Sequence, residues 1–117
     1  MSQYSAPLKD MQFVIEKLAG LAEIAAMPAC ADLTPDLVGA VLGEAAKFAA
    51  EVLDPLNRIG DHEGARITDG KVTPPSGFAD AYRQFTEAGW NGLSGPVEFG
   101  GQGLPHIVAM AVQEMWN

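Results

Sequence analysis

The sequence predicts an all-α, mostly helical domain, and three observations carry that prediction. Apolar residues recur at helical spacing in four separate runs. The only segment that reads as strand is short, a possible β-ribbon at 66–73. Hydrophobic residues make up 48% of the 117 and charged residues 19%, a globular balance that suits one core.

The first run is LKDMQFVIEKLAGLAE. Leu8, Met11, Ile15, Leu18 and Ala22 mark one face, Pro7 suits the first turn and Gly20 marks the end. Phe13 falls off this stripe, which points to a second contact surface. The second run is the strongest. Thr34 is placed to cap, Pro35 fits the first helical position, and Asp36 lies where the macrodipole favours a carboxylate. Val38, Val41, Leu42, Ala45, Phe48, Ala49 and Val52 form its apolar face, and Pro55 is expected to stop it after residue 53. Lys47 and Glu51, four apart, are expected to pair.

From Pro55 to Gly77 helical periodicity is lost. Asp69-Gly70 between Ile67 and Val72 is a two-residue hairpin signal. A helix is predicted at 77–88, with Ser76 as cap and Phe78, Ala81, Tyr82 and Phe85 on one face. Gly89 is suited to the left-handed conformation that ends it, with Trp90 folding back onto Phe85. The last run, PHIVAMAVQEMWN, is apolar on nearly every side, the pattern of a helix in the middle of a bundle, and has no stop signal before Asn117.

Charge and composition exclude several functions. Fifteen acidic against seven basic residues give a net charge of −8, the wrong sign for a phosphate backbone, so no nucleic acid is expected. No run approaches the ~18 apolar residues of a membrane span, and no signal peptide is visible, which points to a cytoplasmic protein with no membrane partner. Cys30 is the one cysteine and reads as a small apolar residue rather than a nucleophile.

Candidate chemistry is sparse. In PVEFGGQGLP, Gly101 and Gly103 supply half of a dinucleotide fingerprint, but His106 stands where the third glycine belongs and no strand precedes. Gly100, Gly101 and Gly103 read better as positions of positive φ where the backbone reverses. Glu98 is either an acceptor within its own turn or solvated. Asp61, His62 and Glu63 read as a solvated loop, because adjacent ligands splay apart, and His106 is the only other imidazole. Tyr82, Phe85 and Trp90 are expected to fill the core rather than stack a cofactor. No residue is accordingly assigned a catalytic, cofactor-binding or metal-ligating role.

The residues do carry a family resemblance. GWNGLSGPVEFGGQGLP, from Gly89 to Pro105, resembles the G-L-x-G-x-x-x-P-x-E-Y-G-G-x-G-L segment of acyl-CoA dehydrogenases. FAAEVLDPLN (Phe48 to Asn57), GDHEG (Gly60 to Gly64) and Gln113-Glu114 are similar to that family's helix, acidic-glycine turn and following helix. YSAPLKDMQFVIEKL, from Tyr4 to Leu18, resembles a longer subgroup that includes enzymes acting on 3-methylmercaptopropionyl-CoA.

The resemblance implies an N-terminal extension over 1–33 with one short amphipathic helix. It implies that 34–117 is part of the family's N-terminal helical domain, ending before that domain is complete. Such an oxidoreductase removes a proton from Cα of an acyl-CoA and passes hydride from Cβ to FAD, a flavoprotein step of fatty acid metabolism. The flavin and the base belong to middle and C-terminal domains, so neither Glu98 nor Glu114 inherits a role. The implied partners are those missing domains, acyl-CoA in the parent, and further copies in a homo-oligomer. A fragment of this kind supplies packing and is inactive alone. The alternative is a free-standing helical binding or scaffold module without redox activity.

Overall fold

A computed structural model describes residues 3–117. It is mostly helical, as predicted, with one small antiparallel ribbon.

Helix α1 (Leu8–Phe13) runs into a π-turn at Val14–Leu18, and Gly20, at φ 76°, redirects the chain into α2 (Leu21–Ala25). The predicted stripe holds for Met11 and Ile15, which are buried. It fails for Leu18 and Ala22, which are exposed, because the wider π-turn and the break at Gly20 shift the phase, so that Leu21 is buried instead. Phe13 and Val14 are also exposed.

Helix α3 (Pro35–Phe48) begins as its sequence demands. The Thr34 hydroxyl oxygen accepts from the Leu37 amide at 3.1 Å, and Pro35 occupies the first turn. Gln12 donates to the Pro35 carbonyl at 3.0 Å, tying α1 to this start. Val38, Leu42, Ala45 and Ala49 are buried along one face.

Pro55 does not end the helix. The chain passes through a π-turn at Ala49–Leu53 and continues as α4 (Asp54–Glu63). A proline lacks an amide hydrogen, and its ring collides with the carbonyl four residues back. Here the Asp54 amide donates five residues back, to Ala49, and this widened turn gives the Pro55 ring its room. Residues 54–63, expected to be irregular, are therefore helical.

Strands β1 (Arg66–Thr68) and β2 (Lys71–Thr73) pair with Ile67 opposite Val72. Asp69 (φ 51°) and Gly70 (φ 75°) both turn left-handed, as an Asp-Gly hairpin requires. Helix α5 (Phe78–Glu87) then packs on α4, where the Phe78 ring lies over Gly60, so closely that a Cβ there would stand 2.8 Å from it. Its predicted cap differs. Gly77, at φ 85°, precedes the helix, and the Ser76 amide instead donates to the Glu63 carboxylate at 2.8 Å. Gly89, at φ 78°, follows α5 in the left-handed conformation expected of it.

Helix α6 (His106–Trp116) lies against α3. Val108, Ala109, Val112 and Met115 are buried in the same cluster as Val38 and Leu42, whereas Met110 is half exposed. The helix is thus covered on one side, not all round as its composition suggested. Lys47 pairs with Glu44 at 2.7 Å rather than with Glu51, one turn in the other direction, and the contact is exposed.

The assembly is flat, 54 × 36 × 17 Å, about two helix layers thick. Its radius of gyration is 16.7 Å, against about 13 Å for a compact domain of this length. Its accessible surface is 8042 Å², about a third more than the roughly 6,100 Å² typical of a monomer of this mass.

Leu42 is 1% exposed at the centre of the α3–α6 contact. Leu42→Ala is expected to lower unfolding free energy by about 2–5 kcal/mol, because little can collapse into the space left. Urea denaturation followed by circular dichroism measures this.

Candidate functional site

One region gathers aromatic side chains from four elements. Phe48 ends α3, Phe85 belongs to α5, Trp90 follows Gly89, and Trp116 closes α6. Trp116 is the hub. Its ring centroid lies 5.1 Å from Phe85, 5.2 Å from Trp90 and 5.9 Å from Phe48, each edge to face. That geometry sets positive ring edges against negative faces. Trp90 was expected to fold directly onto Phe85; the two are joined instead through Trp116 and Phe48. Tyr82 stacks on Phe85 at 6.2 Å but is 68% exposed, so it is not the core residue its helical phase implied. The indole N–H of Trp116 is sealed from solvent with no acceptor.

Beside this cluster is a groove of about 580 Å³ between the start of α4, α5 and the end of α6. Its walls are mainly Leu53, Phe78, Ala81, Tyr82, Phe85 and Trp116. Tyr4 also lines it, anchored by its amide, which donates to the Asp54 carboxylate at 3.1 Å. Partial burial, and then the nearby Glu114 carboxylate, push the Tyr4 phenol above its ordinary pKa, since both oppose a negative charge there. The sequence placed Tyr4 only at the start of a family motif and did not link it to Asp54, fifty residues away.

The glycine-rich segment folds into a closed loop. Phe99 and Gly101 donate to the Pro96 carbonyl, Gly100 to Val97, Gln102 to Gly92, Gly103 to Gly95 and Leu104 to Leu93, all between 2.8 and 3.1 Å. Gly100 and Gly103 take positive φ, as expected, but Gly101 does not. Gly101 is required for a different reason: a Cβ there would lie 2.1 Å from the Gly95 carbonyl oxygen. Val97 and Phe99 project into solvent at its tip, flanking the exposed Glu98.

The remaining candidates do not converge. Asp61, His62 and Glu63 are exposed on the last turn of α4, not on a loop, and Glu63 is engaged by the Ser76 amide. His106 starts α6 in solvent, and Cys30 is half-buried in a 3₁₀ turn. Among the described residues no three His, Cys, Asp or Glu side chains are grouped to hold a metal ion. None of the described helices is long and apolar enough to cross a membrane.

No family model matches the chain. A comparison with curated proteins finds 41% identity over 114 residues to a 3-methylmercaptopropionyl-CoA dehydrogenase of Ruegeria pomeroyi. The chain is a relative of the acyl-CoA dehydrogenases. The similarity takes in 97% of this chain and 19% of that protein, so the chain spans about a fifth of its relative's length.

Acyl-CoA dehydrogenases imply FAD, and the loop at 96–104 is the one place where glycines are dense enough to cradle its diphosphate. The residues do not fit that role. Every amide from Phe99 to Leu104 is already donated within the loop, so none is free for a phosphate oxygen.

Gly101→Ala is expected to disrupt the loop, because the clash is with backbone that cannot rotate away. Loss of amide protection at Gln102 and Gly103 in hydrogen exchange reads this, whereas Gly43→Ala, with no atom within 4 Å, is expected to leave protection unchanged. A second expectation concerns pH. The Ser76 amide holds the Glu63 carboxyl below its ordinary value of 4.5, so this link contributes fully above that pH and is lost as pH falls through the lowered value. The protection of the Ser76 amide, taken against its intrinsic exchange rate at each pH, should therefore fall in acid, and Glu63→Gln should flatten that dependence.

Proposed function

We propose that this chain is the N-terminal helical portion of a flavin-dependent acyl-CoA dehydrogenase, contributing packing surface and a wall of the acyl pocket. One observation carries the reading: 41% identity along almost the whole chain to a protein about five times as long. The parent enzyme oxidises the Cα–Cβ bond of an acyl-CoA thioester, and the name of the relative makes 3-methylmercaptopropionyl-CoA the first substrate to try. A base takes the α-proton and FAD, when bound by the parent's other domains, accepts the hydride. A cytoplasmic, homo-oligomeric parent belongs to the same reading.

The shape supports it. A surface about a third larger than a monomer of this mass usually shows is of the order that obligate contacts cover. The unpaired Trp116 N–H points the same way, because a buried donor without an acceptor costs about 1–3 kcal/mol. Adjoining protein that supplies a carbonyl offsets that cost. Within the chain itself, residues 1–33 act as an extension that braces α3 and 34–117 as the partial helical domain.

The purified chain, mixed with FAD and 3-methylmercaptopropionyl-CoA, is expected to retain no flavin on gel filtration and to reduce no electron-accepting dye. Turnover by this chain alone overturns the proposal.

A further inference from the structure

Asp54 makes two connections at one point of the fold. Its backbone amide donates to the Ala49 carbonyl and so closes the widened turn. Its carboxylate accepts the Tyr4 amide, fifty residues away, at 3.1 Å in a partly buried contact. Tyr4, Ala6 and Leu8 pack against the core, so the segment before α1 forms a strap that reaches the start of α4. The other end of this strap is fixed, because the Met11 amide donates to Pro7 and both Met11 and Ile15 are buried.

The strap therefore senses the register of the helix it reaches. In a regular α-helix the Asp54 amide would donate four residues back, to Ala50, and Asp54 would be turned about the axis by one residue's rotation. Its carboxylate would leave the strap, and the few residues from Tyr4 to Pro7 have little length with which to follow. Pro55 opposes that narrow register sterically, since its ring would meet the Glu51 carbonyl. The bond from Tyr4 favours the wide one. A segment with two discrete registers, biased by two separate groups, is a physical basis for coupling distant parts of a fold.

We propose that the strap and the widened turn form a latch: Tyr4 is held only in the wide register, and holding Tyr4 stabilises that register. The coupling is reciprocal, as linkage requires. Its far end is the contact between α4 and α5, because the wide register also sets Gly60 against the Phe78 ring. Displacing the segment before α1 thereby loosens a contact between two other helices. The latch lies within the chain's own packing and does not depend on its proposed place in a dehydrogenase.

Nuclear magnetic resonance of the chain tests this through two readouts, amide protection and the proximity of the Gly60 α-protons to the Phe78 ring. Pro55→Ala opens the narrow register. Protection of the Tyr4 amide should then fall at least ~10-fold, since an interior proline disfavours a regular helix by more than that factor. Adding Tyr4→Pro, which removes the donor amide, should weaken the Gly60–Phe78 contact beyond its value in Pro55→Ala alone. Asp54→Ala in the same background should do so from the other partner, and Asp54→Asn, which keeps an acceptor oxygen, should do so less. Gln12→Ala cuts a separate tether, from α1 to the Pro35 carbonyl, and should leave the contact at its Pro55→Ala value. With Pro55 retained, Tyr4→Pro should still lower protection of the Asp54 amide several-fold, and no change there overturns the proposal by itself. Unchanged Tyr4 protection in Pro55→Ala overturns it too, as does a Gly60–Phe78 contact that ignores Tyr4→Pro or responds equally to Gln12→Ala.

Discussion

Contact between α3 and α6 is the constraint on which the rest depends. Val38, Leu42, Ala45 and Ala49 on one helix and Val108, Val112 and Met115 on the other are all buried in a single cluster. The two segments lie about sixty residues apart in sequence, so the intervening chain must be long enough to return and shaped to return in one register. Helix α4, the ribbon, α5 and the closed glycine loop do that work. The N-terminal helices are fastened to the same seam through Met11, Ile15 and Leu21.

This arrangement explains why aromatic residues collect where they do. Phe48 and Trp116 sit at the ends of the two central helices, and α5 and Trp90 are carried to that end by the turn at Gly89. The cluster closes the seam at that end. The groove beside it lies where α4 and α5 lean on each other through Gly60 and Phe78, while α5 reaches α6 through Phe85 and Trp116.

Much of this was legible in the sequence. Thr34, Pro35 and the stripe from Val38 to Val52 specify α3 by local chemistry alone, and Asp69-Gly70 specifies the hairpin in the same way. The failures each have a local cause. Pro55 is a helix breaker in a regular α-helix, and no local signal announces a π-turn that relieves it. Leu18 lies at the right spacing for burial, yet the π-turn and the break at Gly20 shift its phase, and Tyr82 stacks on Phe85 while staying exposed. Ser76 looks like a cap, but Glu63 competes for its backbone. The groove was invisible for a plainer reason: it is made by residues from Tyr4 to Asn117 that only folding brings together. What the family motifs added was identity rather than geometry.

The widened turn at Ala49–Leu53 has a consequence for the chain's tolerance to length change. One additional residue in a helical turn rotates everything after it by about 100° about the axis. The insertion thus acts as a phase adjuster: it decides that Gly60, and not a bulkier neighbour, is presented to Phe78. Removing a single residue from this stretch returns the Pro55 ring to the carbonyl it now avoids and swings the downstream half of the rod away from its mate, so an alignment gap that is harmless in a surface loop is ruinous here.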